Sequence, residues 1–225
     1  MLDEPSLIFY MNPTSHRLLP SGSGADLVCA SFDFGVGLGN PLAQALPTLL
    51  MIRLADAPTL DMALALLFKE ASEEHCGKQV VLDRLMEVVI VQLLRDLMDQ
   101  KRVEIGLLAG LADPKLVKAL NAMHADAARG WSLDELAMVA GMSRARFAAK
   151  FREIVGMTPG AYLSGWRLGV AQSLLRRGKS VQAIADEVGY GSASALSRAF
   201  STHTGLSPTD WLKRDAVGPM VKPEA

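Results

Sequence analysis

The 225-residue sequence predicts an α+β fold, mostly α, in which a pair of helix-turn-helix subdomains joined by a long helix follows an N-terminal β-region and two helices. Three observations carry this. A helix, glycine turn, helix, glycine, Ser/Thr-Pro pattern occurs twice in the C-terminal half. The apolar period changes from strand-like to helical near Thr59. The net charge of −1 hides two unlike halves, with 8 Lys/Arg against 14 Asp/Glu in residues 1–112 and 14 against 8 in residues 113–214. The basic half, at +6, suits a polyanionic partner.

Residues 7–34 read as β, because "LIFYM" and "ADLVCASFDF" are β-branched or aromatic runs separated by the turn-rich "NPTSHRLLPSGSG". "NPLAQALPTLLMIR" reads as a short helix followed by an apolar segment. The charge-free run 34–52 is long enough to suggest a membrane span. It holds Gly35, Gly37, Gly39, Asn40, Pro41, Gln44 and Pro47, so it reads as strand, turn and short helix. "GVGLG" at 35–39 fits no phosphate-loop spacing and is read as a turn.

Apolar residues at i, i+3, i+4 and i+7 predict helices over 59–75 and 79–100, with Gly77 between them as a helix stop. Leu82, Leu85, Val89, Leu93 and Leu97 form a stripe on the second of these. The stripe fits either core packing or a helix–helix seam between two copies of the chain.

From Asp113-Pro114 onward everything reads as helical. Asp113 is an N-cap with Pro at the first helical position, and Ser132-x-x-Glu135 is a capping box. Gly141 ends that helix and Ser143 caps the next. The repeat then declares itself. Leu136/Ile184, Ala137/Ala185 and Gly141/Gly189 are each 48 residues apart. Ser143/Ser192, Phe147/Leu196, Phe151/Phe200, Gly156/Gly205, Pro159/Pro208 and Tyr162/Trp211 are each 49 apart, the extra residue falling in the turn. Each copy is a helix-turn-helix whose second helix can enter a major groove.

The second copy's groove helix, "SASALSRAF", is small and nearly uncharged, as a groove ~12 Å wide requires. Leu196 and Phe200 anchor it inward. Ser192, Ser194 and Ser197 can bond phosphate or base edges, and Ser192 also suits an N-cap. Ala193 and its neighbouring alanines fill space or touch a thymine methyl. Arg198 has three readings: bidentate to guanine, bound to phosphate, or paired with Asp186 or Glu187 on the preceding helix.

At these residues the sequence resembles the AraC/XylS family of bacterial transcription regulators over residues ~113–214. The motifs that carry the resemblance are Trp166-Arg167 on the connecting helix, Ile184-Ala185, Gly189-Tyr190, Ser197-Arg198-Ala199-Phe200 and Gly205-x-Ser207-Pro208. The resemblance implies sequence-specific binding of double-stranded DNA in two successive major-groove segments. It places the family's first base-reading helix on 144–150, with Ser143 before it. Ala145, Ala148 and Ala149 then face outward, flanked by Arg144, Arg146 and Lys150, an arrangement that positions more than it specifies. RNA polymerase, a small effector of unknown identity and a homodimer are the partners it implies, with activation and repression both open.

Residues 16–53 are similar to the closing strands and "LP" helix of the cupin effector domain of one subgroup. The chain starts almost on top of the His16-Arg17-Leu18 segment, as a fragment, a mis-started chain or a shortened natural protein would. The expected divisions are therefore 1–54 partial cupin-like β effector region, 55–104 two-helix dimerisation or linker region, 113–214 double helix-turn-helix domain, and 215–225 flexible tail.

Other readings are weaker. A cupin-derived metalloenzyme needs clustered His and Glu, and in the cupin-like region only His16 is available, so neither a metal site nor a cofactor is predicted. A DNA-repair methyltransferase-like protein with this DNA-binding module needs an activated cysteine motif such as Pro-Cys-His-Arg, which is missing. The third is a dimerising interaction protein with vestigial DNA binding. Cys29 reads as a small buried hydrophobe or, with Arg17 nearby in the chain, as a redox sensor. Two cysteines suit a reducing cytoplasm. The acidic "MLDEPSL" start is no signal peptide, so the expected location is cytoplasmic and away from membranes.

Overall fold

The computed structural model describes residues 4–10, 26–30, 46–100 and 105–217. These fall into two compact units, one built from the residues up to 100 and one from 105–217.

In the first unit, strand β1 (Ser6–Tyr10) pairs antiparallel with β2 (Leu49–Arg53), Ser6 opposite Arg53 and Tyr10 opposite Leu49. β2 alternates, with Leu50 and Ile52 buried and Leu49, Met51 and Arg53 exposed, the period of a strand covered on one face. The N–H of Leu54 donates to the Pro5 carbonyl at 3.0 Å and extends the pairing. A short 3₁₀ turn (Leu54–Asp56) leads into helix α1 (Pro58–Ser72), which starts on a proline, and α2 (Lys78–Asp99) packs against it.

Four expectations change here. Residues 26–30, expected in a strand, are irregular, and Cys29 is exposed, so the buried-hydrophobe reading fails. α1 stops at Ser72; Gly77, in the left-handed region at φ 82°, starts α2 instead of stopping α1. Val89, Leu93 and Leu97 are buried with Leu60, Leu64 and Leu67 of α1 in the same unit, while Leu82 and Leu85 are half-buried. A dimer seam through Val89 and Leu93 is therefore replaced by core packing within one chain. His16, Arg17 and the 35–39 turn lie outside the described residues.

The second unit is helical throughout: α3 (Leu107–Ala112), α4 (Leu116–Ala125), α5 (Leu133–Val139), α6 (Arg144–Val155), α7 (Pro159–Arg176), α8 (Val181–Glu187), α9 (Ala193–Thr204) and α10 (Pro208–Val217). α4 starts at Leu116 with Lys115 at its N-cap, two residues after the expected Pro114 start, and the Asp113 carboxylate accepts from the N–H groups of Lys115 and Leu116 at 3.0 and 2.9 Å. The Ser132–Glu135 capping box is closed in both directions. Thr158, Ser180 and Ser192 cap α7, α8 and α9, each accepting the N–H three residues on. Ser143 stands at the N-cap of α6 but its hydroxyl makes no capping bond.

The repeat is one structure built twice. In both turns an N–H reaches back five residues, Met142 to the Ala137 carbonyl at 2.9 Å and Tyr190 to the Ala185 carbonyl at 2.8 Å. In the first copy Leu136, Phe147, Phe151 and Tyr162 are buried, with Phe151 edge-on to Tyr162 at 5.8 Å. In the second, Ile184, Leu196, Phe200 and Trp211 are buried, with Phe200 edge-on to Trp211 at the same separation. α7 supplies both cores: Tyr162 and Leu163 at one end, Leu168, Ala171, Leu174 and Leu175 towards the other.

Candidate nucleic-acid interface

Burial of Leu196 and Phe200, four residues apart, fixes which side of α9 is left for a partner. The exposed side carries Ser194, Arg198 and Thr202, again at four-residue spacing. Arg198 makes no ion pair or side-chain hydrogen bond among the described residues. Its pairing with the preceding helix is thereby overturned: Glu187 is bound by Lys179 at 2.5 Å, and nothing bridges Asp186 to Arg198. Ser192 is committed at 3.1 Å to the Ala195 N–H and lies 3.0 Å from the Ser194 hydroxyl. Ser197 and Ala193 are half-buried on the flank of α9.

On α6, Phe147 and Phe151 point inward, leaving Ala145 and Ala149 exposed with Arg144 and Arg146. The cations there are unequal. Arg144 reaches Asp134 at 3.1 Å, and Lys150 is paired with Asp113. Burial of the Asp113 carboxyl opposes ionisation, but Lys150 and the N–H groups of Leu116 and Lys115 outweigh it and hold the pKa low. Lys150 is thus tied to a helix start within its own chain. Arg146 is exposed and unpaired among the described residues.

Arg152 is the residue that the sequence reading missed. It is exposed, makes no ion pair among the described residues, and continues the line of Ala145 and Ala149 at i+7. The signal was present, since a groove-facing stripe that starts at Ala145 and Ala149 passes next through 152. A cleft of about 470 Å³ opens beside this stripe, lined by Trp131, Leu136, Ala148, Arg152, Pro159 and Leu163 among others.

His124 has no part in the stripe. Its ring stacks on Trp166 at a centroid distance of 3.9 Å and bonds the Tyr162 hydroxyl at 2.5 Å. Burial pulls its pKa down to about 4, so it is a neutral packing group at neutral pH. Glu135 is held at about 2, first by the N–H of Ser132 and then by Arg129 and the Ser132 hydroxyl, and works as a cap. Among the described residues no three His, Cys, Asp or Glu gather as a metal site would require, and no helix is long and apolar enough to cross a membrane.

Residues 136–214 match a family described as Helix-turn-helix domain, and residues 2–99 match one described as Cupin. An AraC-like transcription regulator of Streptomyces lividans is 36% identical over 204 residues, covering 88% of this chain and 67% of its own. The transcriptional regulator AlkR of Acinetobacter baylyi is 36% identical over 176 residues, which is 76% of this chain and 58% of its own. Among solved structures, the DNA-binding domain of AdpA, in complex with a target DNA, is 29% identical and covers 48% of this chain and 98% of its own, at a TM-score of 0.44. The chain thus spans from under three fifths to about two thirds of the length of these two relatives.

Proposed function

The chain belongs to the AraC-type family of transcription regulators, and from that premise we propose that it regulates transcription by placing α6 and α9 in two successive major-groove segments of double-stranded DNA. The observation that carries this is the exposed face of α9, where Arg198 stands unpaired between Ser194 and Thr202 while Leu196 and Phe200 turn inward. A guanidinium in that position offers the fork of donors that matches a guanine edge. α6 presents alanines with Arg146 and Arg152 beside them, a face that approaches the duplex closely and holds phosphates.

In this reading the N-terminal region senses a small effector, residues 55–104 carry self-association or a linker, and RNA polymerase is contacted from the bound site. The protein works in the cytoplasm and without catalysis. The relatives' naming as transcription regulators supports the non-catalytic part.

The test is binding of the full chain to fragments selected from sheared genomic DNA, at two salt concentrations. Affinity is expected to fall steeply with salt as condensed counterions are released. Arg198→Ala is expected to cost ~1–3 kcal/mol on the best site and to relax preference at about one base pair. A full chain with no salt-sensitive binding to any selected fragment refutes the proposal.

A further inference from the structure

Two helix-turn-helix subdomains with separate cores share one helix, α7, and a helix alone leaves the angle between them soft. Two contacts remove that freedom. The first is a fan of hydrogen bonds from Arg167, half-buried on α7. Its Nε donates to the Ala127 carbonyl at 2.6 Å, and one terminal nitrogen donates to the carbonyls of Ala128 and Arg129 at 3.2 and 2.9 Å. The other terminal nitrogen reaches the Gly189 carbonyl at 3.5 Å. Residues 127–129 lead into α5 of the first subdomain, whereas Gly189 is the turn of the second. One planar group with five donors thereby holds carbonyls from both.

The second contact is backbone against backbone. A methyl group on Gly189 would lie 2.8 Å from the carbonyl carbon and Cα of Ala128, and closer still to its oxygen. Gly141, the equivalent turn glycine in the first copy, has nothing within 4 Å of the same point. The second turn is therefore pressed onto the first subdomain just where Arg167 bridges them.

We propose that Arg167 is a positioning residue that locks the phase between α6 and α9, so that the chain accepts one spacing between its two groove segments. This rests on the DNA-reading proposal for its consequence, though not for its geometry. A slip of one base pair between the segments is a rotation of roughly 35° with a rise of about 3.4 Å, given ~10–10.5 base pairs and ~34–36 Å per turn. A rigid bridge refuses that slip, and a loose one tolerates it.

The experiment has two arms, both on the full chain. Without DNA, spin labels at Ala145→Cys and Ser194→Cys, in a Cys29→Ser/Cys76→Ser background, report the distance between α6 and α9. With DNA, unlabelled chain is titrated with its selected site and with versions in which the central spacing is changed by one base pair. Arg167→Met keeps the length of the side chain and removes every donor. It is expected to broaden a narrow distance distribution at least twofold and to flatten the preference for the original spacing. Affinity should fall roughly ten- to a hundredfold, part of the gain that linked modules enjoy when their geometry matches. Arg167→Lys should behave like Arg167→Met, since a single ammonium cannot span both sets of carbonyls.

Parent-like distances in a folded Arg167→Met chain, or an unchanged spacing preference, overturn the proposal. Should Arg167→Met unfold the chain, Arg167→Lys and Gly189→Ala replace it, and parent-like distances in both overturn it equally. A broadened distance in the variant with no DNA binding by the parent sustains the lock and refutes the DNA reading instead.

Discussion

Replacing the two turn glycines by alanine, one at a time, separates a backbone cost from a packing cost. Gly141 and Gly189 both stand in the left-handed region, at φ 63° and 80°. That conformation costs an alanine roughly 1–2 kcal/mol at either place. At Gly141 nothing more is added, because a methyl group there meets open space. At Gly189 the methyl must push back the Ala128 backbone, and Arg167 holds the carbonyls of both residues. Two weakened hydrogen bonds at ~0.5–1.5 kcal/mol each bring the loss to about 2–5 kcal/mol. The gain from a less flexible unfolded chain is common to both variants and cancels in the difference. Urea unfolding of the full chain followed by tryptophan fluorescence is the assay. All three tryptophans, Trp131, Trp166 and Trp211, lie in the second unit, so the signal reports that unit alone. The expected order is parent, then Gly141→Ala, then Gly189→Ala well below it. On melting, each 1 kcal/mol moves the midpoint by roughly 4–8 °C in a domain of this size. Equal losses at the two glycines refute the close approach of Gly189 to Ala128, and with it one support of the Arg167 lock.

Three further outcomes are expected. Phe151→Ala and Phe200→Ala each remove a fully buried ring at equivalent positions and should cost ~3–5 kcal/mol, so a parent-like melting curve for either overturns the repeat alignment. Arg152→Ala should weaken binding of all DNA sequences alike and lower the salt slope by about one, measured by titration at several salt concentrations; loss confined to one base pair would make it a reader instead. His124 is neutral in the fold, its pKa lowered by burial to about 4 from 6.5, so its contribution is present above pH 6.5 and lost as pH falls towards 4. His124→Gln should therefore lose less stability than the parent between pH 7 and 5, by about 1–2 kcal/mol after allowing for solvent at a half-buried ring; parallel pH curves refute it.

The C-terminal unit was legible because its signals are local and doubled. Ser132-x-x-Glu135 and Ser192 declare helix starts through chemistry that acts within one turn, and both caps form. The N-terminal unit was less so. "ADLVCA" has strand-forming residues, yet its described part, 26–30, is irregular, because strand propensity expresses itself only where a partner edge is offered. β1 finds its partner at Leu49–Arg53, some forty residues away, a pairing that no short-range signal announces. The leucine stripe of α2 takes the first of its two readings, core packing, with α1 of the same chain as the partner. Apolar periodicity says that a face is covered and not by what. Within the candidate interface, exposure of Arg198 was open to reasoning from Leu196 and Phe200, whereas the commitment of Lys150 to Asp113 was not, since the two lie 37 residues apart.

The two copies differ where their common backbone would make them alike. With an offset of 49, Ala145 corresponds to Ser194, Ala149 to Arg198 and Arg152 to Ser201. The two unpaired guanidinium groups of α6 stand elsewhere than that of α9, Arg146 at the place of Ala195 and Arg152 at that of Ser201, and the exposed Ser194 and Thr202 of α9 correspond to Ala145 and Glu153. An alanine offers a base edge no hydrogen bond, so Ala149 cannot repeat what Arg198 does at the sixth residue of α9. Two copies of one DNA motif would therefore leave one helix without its contacts. On the proposed reading, the two groove segments are unlike: one chosen by base contacts at Arg198, the other tolerated for the fit of its backbone against alanines and the reach of Arg152 to phosphate. Unlike segments need a fixed order and a fixed spacing, because either helix placed in the other's segment loses its partner groups. The order follows from the chain's connectivity, and the Arg167 fan with the Gly189 contact holds the spacing, which makes an asymmetric face out of a repeated motif.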